Sequence, residues 1–356
     1  MTKKAPLPSH ADRLSRNNFD LIRLCLAAFV CFSHAYTLSG REQLAWVAHV
    51  LSSTLAVRGF FVVSGFLIVM SYDRSSTLAS YARKRVRRIY PAYLTVVLLS
   101  ALGLWSVSSV SLLQYFSWTW VKYIASNLTF LNFIQGSLPG VFESHLNRAV
   151  NGSLWTLKIE AMFYLLVPII VAGVRRFGAL VLLSLIYISS VGFAALMTGM
   201  ALRTGSAIYV ELSNQLPAQL SYFSAGALLY YYVNILEHNI NWIAISALLV
   251  MCLNQVYELP WIEPLALAIL VVSAGLFLYV GNFGKYGDFS YGLYILHFPI
   301  IQLAIHFNVF GGQPWLYLLA VLAASGLSAA AMWHLVEKRF LDRAGHYRAV
   351  AERRSP

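Results

Sequence analysis

The chain has 356 residues, a formal net charge of +12, 59% hydrophobic residues and only 11% charged ones. A soluble domain carries roughly 45–50% apolar and about 25% charged residues, so a water-soluble enzyme or binding module is excluded. A nucleic-acid partner is excluded too, because the basic residues sit in short segments between apolar runs, the pattern that encodes orientation in a membrane.

The apolar runs are about 18–22 residues long, enough for a helix to cross the hydrocarbon core. They are continuous rather than alternating, which favours helices over a barrel. The fold class predicted is therefore all-α, a polytopic membrane helix bundle. In chain order, ten spans are predicted at 19–37, 47–70, 90–108, 154–174, 179–201, 217–235, 242–257, 262–280, 290–309 and 315–335. A basic arm (Lys3, Lys4, Arg13, Arg16) precedes the first run, which itself holds Arg23 and His34; those two residues argue against a cleaved signal peptide. Stretch 112–134 is crowded with Tyr115, Phe116, Trp118, Trp120 and Tyr123. Such aromatics favour the headgroup level, so it reads as an interfacial or re-entrant segment.

Lysine and arginine counts set the orientation. Nineteen fall in the tails and loops of one side and four (Arg41, Lys122, Arg148, Arg203) on the other, with Arg23, Arg58 and Lys158 inside spans. That asymmetry predicts that both termini are cytoplasmic. No repeat or long hydrophilic block interrupts the chain. One membrane domain over 1–356 is expected, with a core of about 17–340, cytoplasmic tails 1–16 and 341–356, and no soluble extracytoplasmic domain. Cys25, Cys31 and Cys252 lie in apolar runs without metal-ligand spacing, so they read as packing residues; no metal site is expected.

Ionisable residues inside spans are costly and are functional candidates by default. Arg23 and His34 are eleven residues apart, about 20° past three full helical turns, so they share a face roughly 16 Å apart along the axis. A neutral imidazole near pH 7 is what a general base for a hydroxyl needs. A cation on the same face suits an anionic co-substrate. The alternatives are a snorkelling arginine and a hydrogen-bonded interhelix histidine. The basic cluster RKRVRRIYPAY (83–93) reads either as positive-inside anchoring and lipid contact or as a phosphate site. For the latter, Arg85 and Arg88 share a helix face and their planar forks suit phosphate oxygens.

These segments resemble the acyltransferase-3 family of membrane O-acyltransferases. NNFDLIRLCLAAFVCFSHAY (17–36) looks like its first helix, in which a basic residue precedes a histidine by eleven positions, as Arg23 precedes His34. FFVVSGFLI (60–68) resembles its second-helix signature, with Ser64 and Gly65 as the small pair. Arg85 and Arg88 match its arginine pair. NGSLWTLKIEAMFY (151–164) is similar to its tryptophan-to-glutamate segment, with Trp155 and Glu160. DFSYGLYILHFPI (288–300) and WHLVEKRF (333–340) resemble its late motifs, with His297, Pro299 and Glu337.

The resemblance implies acyl transfer, with an acyl-CoA (usually acetyl-CoA) as co-substrate rather than as a bound cofactor. The acceptor implied is a hydroxyl of a carbohydrate such as a surface or lipid-linked glycan, and the location a bacterial inner membrane. On that reading Arg85 and Arg88 hold the CoA phosphates, with Ser64 as a further contact. Arg23 lines the path inward, and His34 is the base or an acyl carrier. Glu160, roughly 9 Å into its span, shares the depth of His34 and orients either the imidazole or the acceptor; the alternative is an ion pair with Lys158 or Arg58. His297 stands two residues before Pro299, where a freed carbonyl makes a structural role as plausible as a chemical one. One tunnel is expected to join the arginine pair to His34. Two rivals from other classes stay open. One is a transporter that uses Arg58, Lys158 and Glu160 as a translocation path. The other is a membrane sensor or scaffold.

Overall fold

In a bilayer the chain must satisfy its backbone hydrogen bonds within each segment, which a long apolar run does by forming a helix. The computed structural model describes residues 17–281 and 283–341 and has no strand among them. The tails predicted at 1–16 and 341–356 lie outside these residues, save Leu341.

Among the described residues, ten helices of fifteen or more residues overlap the predicted apolar runs: α1 (Phe19–Ser39), α2 (Ser53–Asp73), α3 (Leu78–Gly103), α4 (Trp155–Phe177), α5 (Ala179–Thr204), α6 (Leu216–Tyr231), α7 (Ile240–Tyr257), α8 (Glu263–Phe277), α9 (Ser290–His306) and α10 (Pro314–Met332). The helical stretches built on α1 to α5, α7 and α10 are long and apolar enough to cross a bilayer, which makes this a multi-pass membrane protein. Helices α6, α8 and α9 have 16, 15 and 17 residues and bury most of their side chains. Helices α5 and α7 bury few and form the periphery. Stretch 112–134 contains two short helices, Leu112–Tyr115 and Trp118–Leu128, too short to span.

Helix α3 starts well ahead of the predicted residue 90. Thr77 caps it by accepting the backbone N–H of Ser80 at 3.1 Å, and the lysine and arginine residues that follow are good helix formers. The basic cluster is thus the first part of a membrane helix rather than a loop. The cysteine expectation holds only in part: Cys31 is buried, whereas Cys25 and Cys252 lie on exposed helix faces.

Helices α2 and α6 cross at close range. A Cβ added to Gly65 would stand 2.0 Å from the carbonyl oxygen of Phe223, and one added to Gly226 would stand 2.1 Å from that of Val62. Each glycine therefore receives the other helix's backbone, the close approach that small residues permit. Around the crossing, Phe163 packs on Phe61 and Phe223 with ring centroids 5.4 and 4.4 Å away. This core fixes α2, which carries Ser64, against α4, which carries Glu160. On the other side α1 packs along α9 and brings two histidines together.

Candidate active site

Among the described residues the bundle holds at least two cavities. The inner one, of about 1270 Å³, is lined by Arg23 from α1, Ser64 from α2, Arg85 and Arg88 from α3, and Glu160 from α4. Lys84, Arg87, Lys285, Lys338 and Arg339 add to the basic wall. Val57, Phe60 and Leu67 add an apolar part to the wall. A cavity of this size exceeds the roughly 300–1,000 Å³ of ordinary small-molecule sites. Its charge suits a polyanion, and its apolar wall suits an uncharged tail.

The two arginines of the pair differ. Arg85 donates to Ser71 Oγ at 2.9 Å and stands over the rings of Tyr81 and Tyr164. Arg88 is held by carboxylates: its Nη2 donates to Asp288 Oδ2, and its Nη1 lies 3.7 Å from Glu337 Oε2. Arg23 Nη2 reaches the same Asp288 oxygen at 3.1 Å and also pairs with Asp20. Asp288 is itself 2% exposed. Its other oxygen accepts from the backbone N–H of Ser290 at 3.1 Å and from the Ser290 hydroxyl. Burial alone would raise its pKa, but the Arg23 and Arg88 guanidiniums and the Ser290 hydrogen bonds outweigh burial and hold the carboxyl well below the usual range. Its ionised state thus ties α1, α3 and the start of α9 together under the cavity.

Asp288→Asn keeps the shape but removes the anion that Arg23 and Arg88 share, leaving Asp20 beside Arg23 and the longer Glu337 contact beside Arg88. Breaking a buried pair in this way costs about 3–5 kcal/mol. The variant is expected to melt at a lower temperature in detergent, and an unchanged melting temperature would sink this assignment. Because the folded pKa is depressed, the contribution is complete above the unfolded value of about 3.9 and is lost as pH falls below it.

The outer cavity, of about 80 Å³, is lined by His34, Arg58, Ser153, Trp155, Asn214 and Gln219, among others. His34 Nδ1 lies 2.8 Å from His297 Nε2, and the two rings are nearly parallel with centroids 5.1 Å apart. His297 Nδ1 lies 3.2 Å from the Leu293 carbonyl oxygen. A carbonyl only accepts, so in neutral imidazoles His297 carries its hydrogen on Nδ1 and presents a lone pair at Nε2. His34 then donates from Nδ1, which leaves its own Nε2 as the lone-pair nitrogen. Pro299 has no N–H to give the Ile295 carbonyl, and the Asn151 side chain supplies one at 2.8 Å. That bond pins the His297 turn of α9 to the entry of α4.

Five of the six candidate residues thus meet in the inner cavity, and His34 does not. Val57 and Tyr294 line both cavities and stand between them; the Tyr294 hydroxyl is 2.7 Å from Thr156 Oγ1. Where a single tunnel was expected there are two cavities, which share Val57 of α2 and Tyr294 of α9 as lining residues. Glu160 does not orient the imidazole. It accepts from the Tyr164 hydroxyl at 2.6 Å, and the partner of His34 is His297. The ion-pair alternative for Glu160 fails as well: Arg58 pairs with Glu263 at 2.7 Å, and Lys158 donates to Gln215 Oε1. Asp288 and Val57 were not singled out by sequence reasoning, whereas Tyr294 belongs to the 288–300 motif. The signals for Asp288 were its place at the start of that motif and directly ahead of an apolar run.

Residues 16–336 match the acyltransferase-3 family, described as an acyltransferase domain. The chain is 31% identical over 339 residues to an O-acetyl transferase of Shigella phage Sf6, covering 92% of this chain and 96% of that one. It is 28% identical over 352 residues to nodulation protein 10 of Rhizobium leguminosarum bv. viciae, covering 91% and 92%. A shorter match, 26% over 153 residues, is to acyltransferase MdmB of Streptomyces mycarofaciens, covering 42% and 37%. No solved structure matches the chain. A bundle with a large basic cavity on one side and a histidine-lined one on the other is a membrane-embedded group-transfer enzyme in outline. The chain belongs to the acyltransferase-3 family, and it is an acyltransferase.

Proposed function

We propose that the protein is an O-acetyltransferase that moves an acetyl group from cytoplasmic acetyl-CoA to a carbohydrate hydroxyl on the far side of a bacterial inner membrane, crossing it ten times with both termini cytoplasmic. The carrying observation is the meeting of the two cavities at Val57 and Tyr294. The inner cavity has the size and charge for coenzyme A, whose phosphates are anionic and whose pantetheine arm is not. Arg85, with Lys84 and Arg87, faces the phosphates. Arg23 and Arg88, fixed by Asp288, shape the passage inward, and Ser64 and Glu160 line it.

The arm then delivers the thioester to the shared wall. His34 Nε2 takes the proton of the acceptor hydroxyl, and the hydroxyl oxygen bonds to the thioester carbonyl carbon. The carbon–sulfur bond breaks, and the proton passes from the imidazolium to the departing CoA thiolate. His297 is the positioning residue that keeps the lone pair of His34 on Nε2.

Labelled acetyl-CoA tests the donor half. The full chain in lipid nanodiscs is expected to bind it saturably, and Arg85→Ala to weaken binding by about tenfold or more, given the roughly 1.5–3 kcal/mol of a charged hydrogen bond. A protein that binds no acetyl-CoA while moving a glycan across the membrane would be the transporter instead.

A further inference from the structure

The acceptor's place in the bundle can be read from the outer cavity. We infer that this cavity is the subsite for one edge of a neutral sugar, and that Gln219 and Asn214 hold its hydroxyls beside His34; this rests on the acyltransfer reading above.

The argument begins with Gln219. Its side chain belongs to α6 and is 5% exposed, yet its Oε1 meets no hydrogen-bond partner among the described residues. A buried polar atom left unmatched costs about 1–3 kcal/mol, and such atoms are rare enough to require a reason. Gln219 lines the cavity that His34 lines, so a ligand hydroxyl entering there would meet both. Asn214 lines the same cavity and anchors itself through Nδ2 to the Val210 carbonyl at 3.0 Å, leaving its Oδ1 as an acceptor.

Charge narrows the ligand class. Among the described residues, the only charged side chain in the lining is Arg58, and Glu263 neutralises it at 2.7 Å, with the Tyr222 hydroxyl and Asn254 Nδ2 also donating to Glu263. The remaining polar groups are the His34 imidazole, the Trp155 indole N–H, two carboxamides and the hydroxyls of Ser53, Thr54, Ser153 and Tyr294. Amides and hydroxyls match the alternating donors and acceptors of a polyol. They offer nothing to compensate a carboxylate or phosphate. Trp155 supplies an apolar ledge of the kind on which the C–H face of a sugar ring rests. At about 80 Å³ the cavity admits one edge of a ring, with the rest of the glycan outside.

Gln219→Met keeps the volume and removes both hydrogen-bonding functions. It would be expressed as the full chain in host cells deleted for their own copy. Two quantities are read: O-acetyl groups on the surface glycan by NMR, and binding of tritiated acetyl-CoA by the purified protein in nanodiscs. The expected result is at least a tenfold loss of glycan acetylation with acetyl-CoA affinity within twofold of the parent. If Gln219→Met loses acetyl-CoA affinity as well, Asn214→Ala at the same cavity carries the comparison with the same expected split. Normal acetylation in Gln219→Met with normal donor affinity, or in both variants, overturns the inference and leaves the donor reading standing. A parent protein that binds no acetyl-CoA overturns both.

Discussion

His34→Ala is expected to lower glycan O-acetylation in intact cells by at least about 100-fold, the low end of what a positioned general base contributes. Acetyl-CoA binding should be unchanged, because His34 does not line the inner cavity. The companion variant is His297→Gln, whose side-chain oxygen can reach the place of Nε2 and still accept from His34 Nδ1. It should fall between His34→Ala and the parent in turnover and match the parent in donor affinity, whereas His297→Leu, which removes the acceptor, should approach His34→Ala. A histidine pair that merely packed α1 against α9 would give a different pattern: all three variants would lose folded protein together. Retained acetylation in His34→Ala at normal protein levels would end the mechanism.

The second large effect concerns the fold. Gly226→Ala would push a methyl group to 2.1 Å from the Val62 carbonyl oxygen, and a backbone carbonyl cannot rotate away as a side chain can. The cost is expected to exceed about 3 kcal/mol, the upper end of ordinary overpacking. Folded yield in detergent should drop sharply, and Gly65→Ala should behave alike from the other side of the crossing. Gly192→Ala is the control: it lies inside α5, and a Cβ there meets nothing within 4 Å. It should be neutral, or more stable by roughly 0.5–1 kcal/mol through helix propensity. Equal yields for Gly226→Ala and Gly192→Ala would contradict the crossing.

The helices were legible because a bilayer leaves an apolar run of that length few other options. Arg23 and His34 were legible for a related reason, since an ionisable group within such a run stands out. Azimuth was not legible. Glu160 lies at a depth its sequence position allows, but the rotation of α4 turns it towards Tyr164 and the inner cavity. The pairing of His34 with His297 spans 263 positions and depends on how α1 lies along α9. Asp288 was hidden differently: it is a single acid beside a helix start, and its importance comes from two arginines on other helices converging on one of its oxygens.

The wall formed by Val57 and Tyr294 has a consequence for the cell that houses the protein. A bundle hollowed from both faces without a stopper would conduct water and protons and short-circuit the gradient the membrane maintains. Two side chains standing between the cavities would let the bundle hold ligands in both without offering ions an open bore.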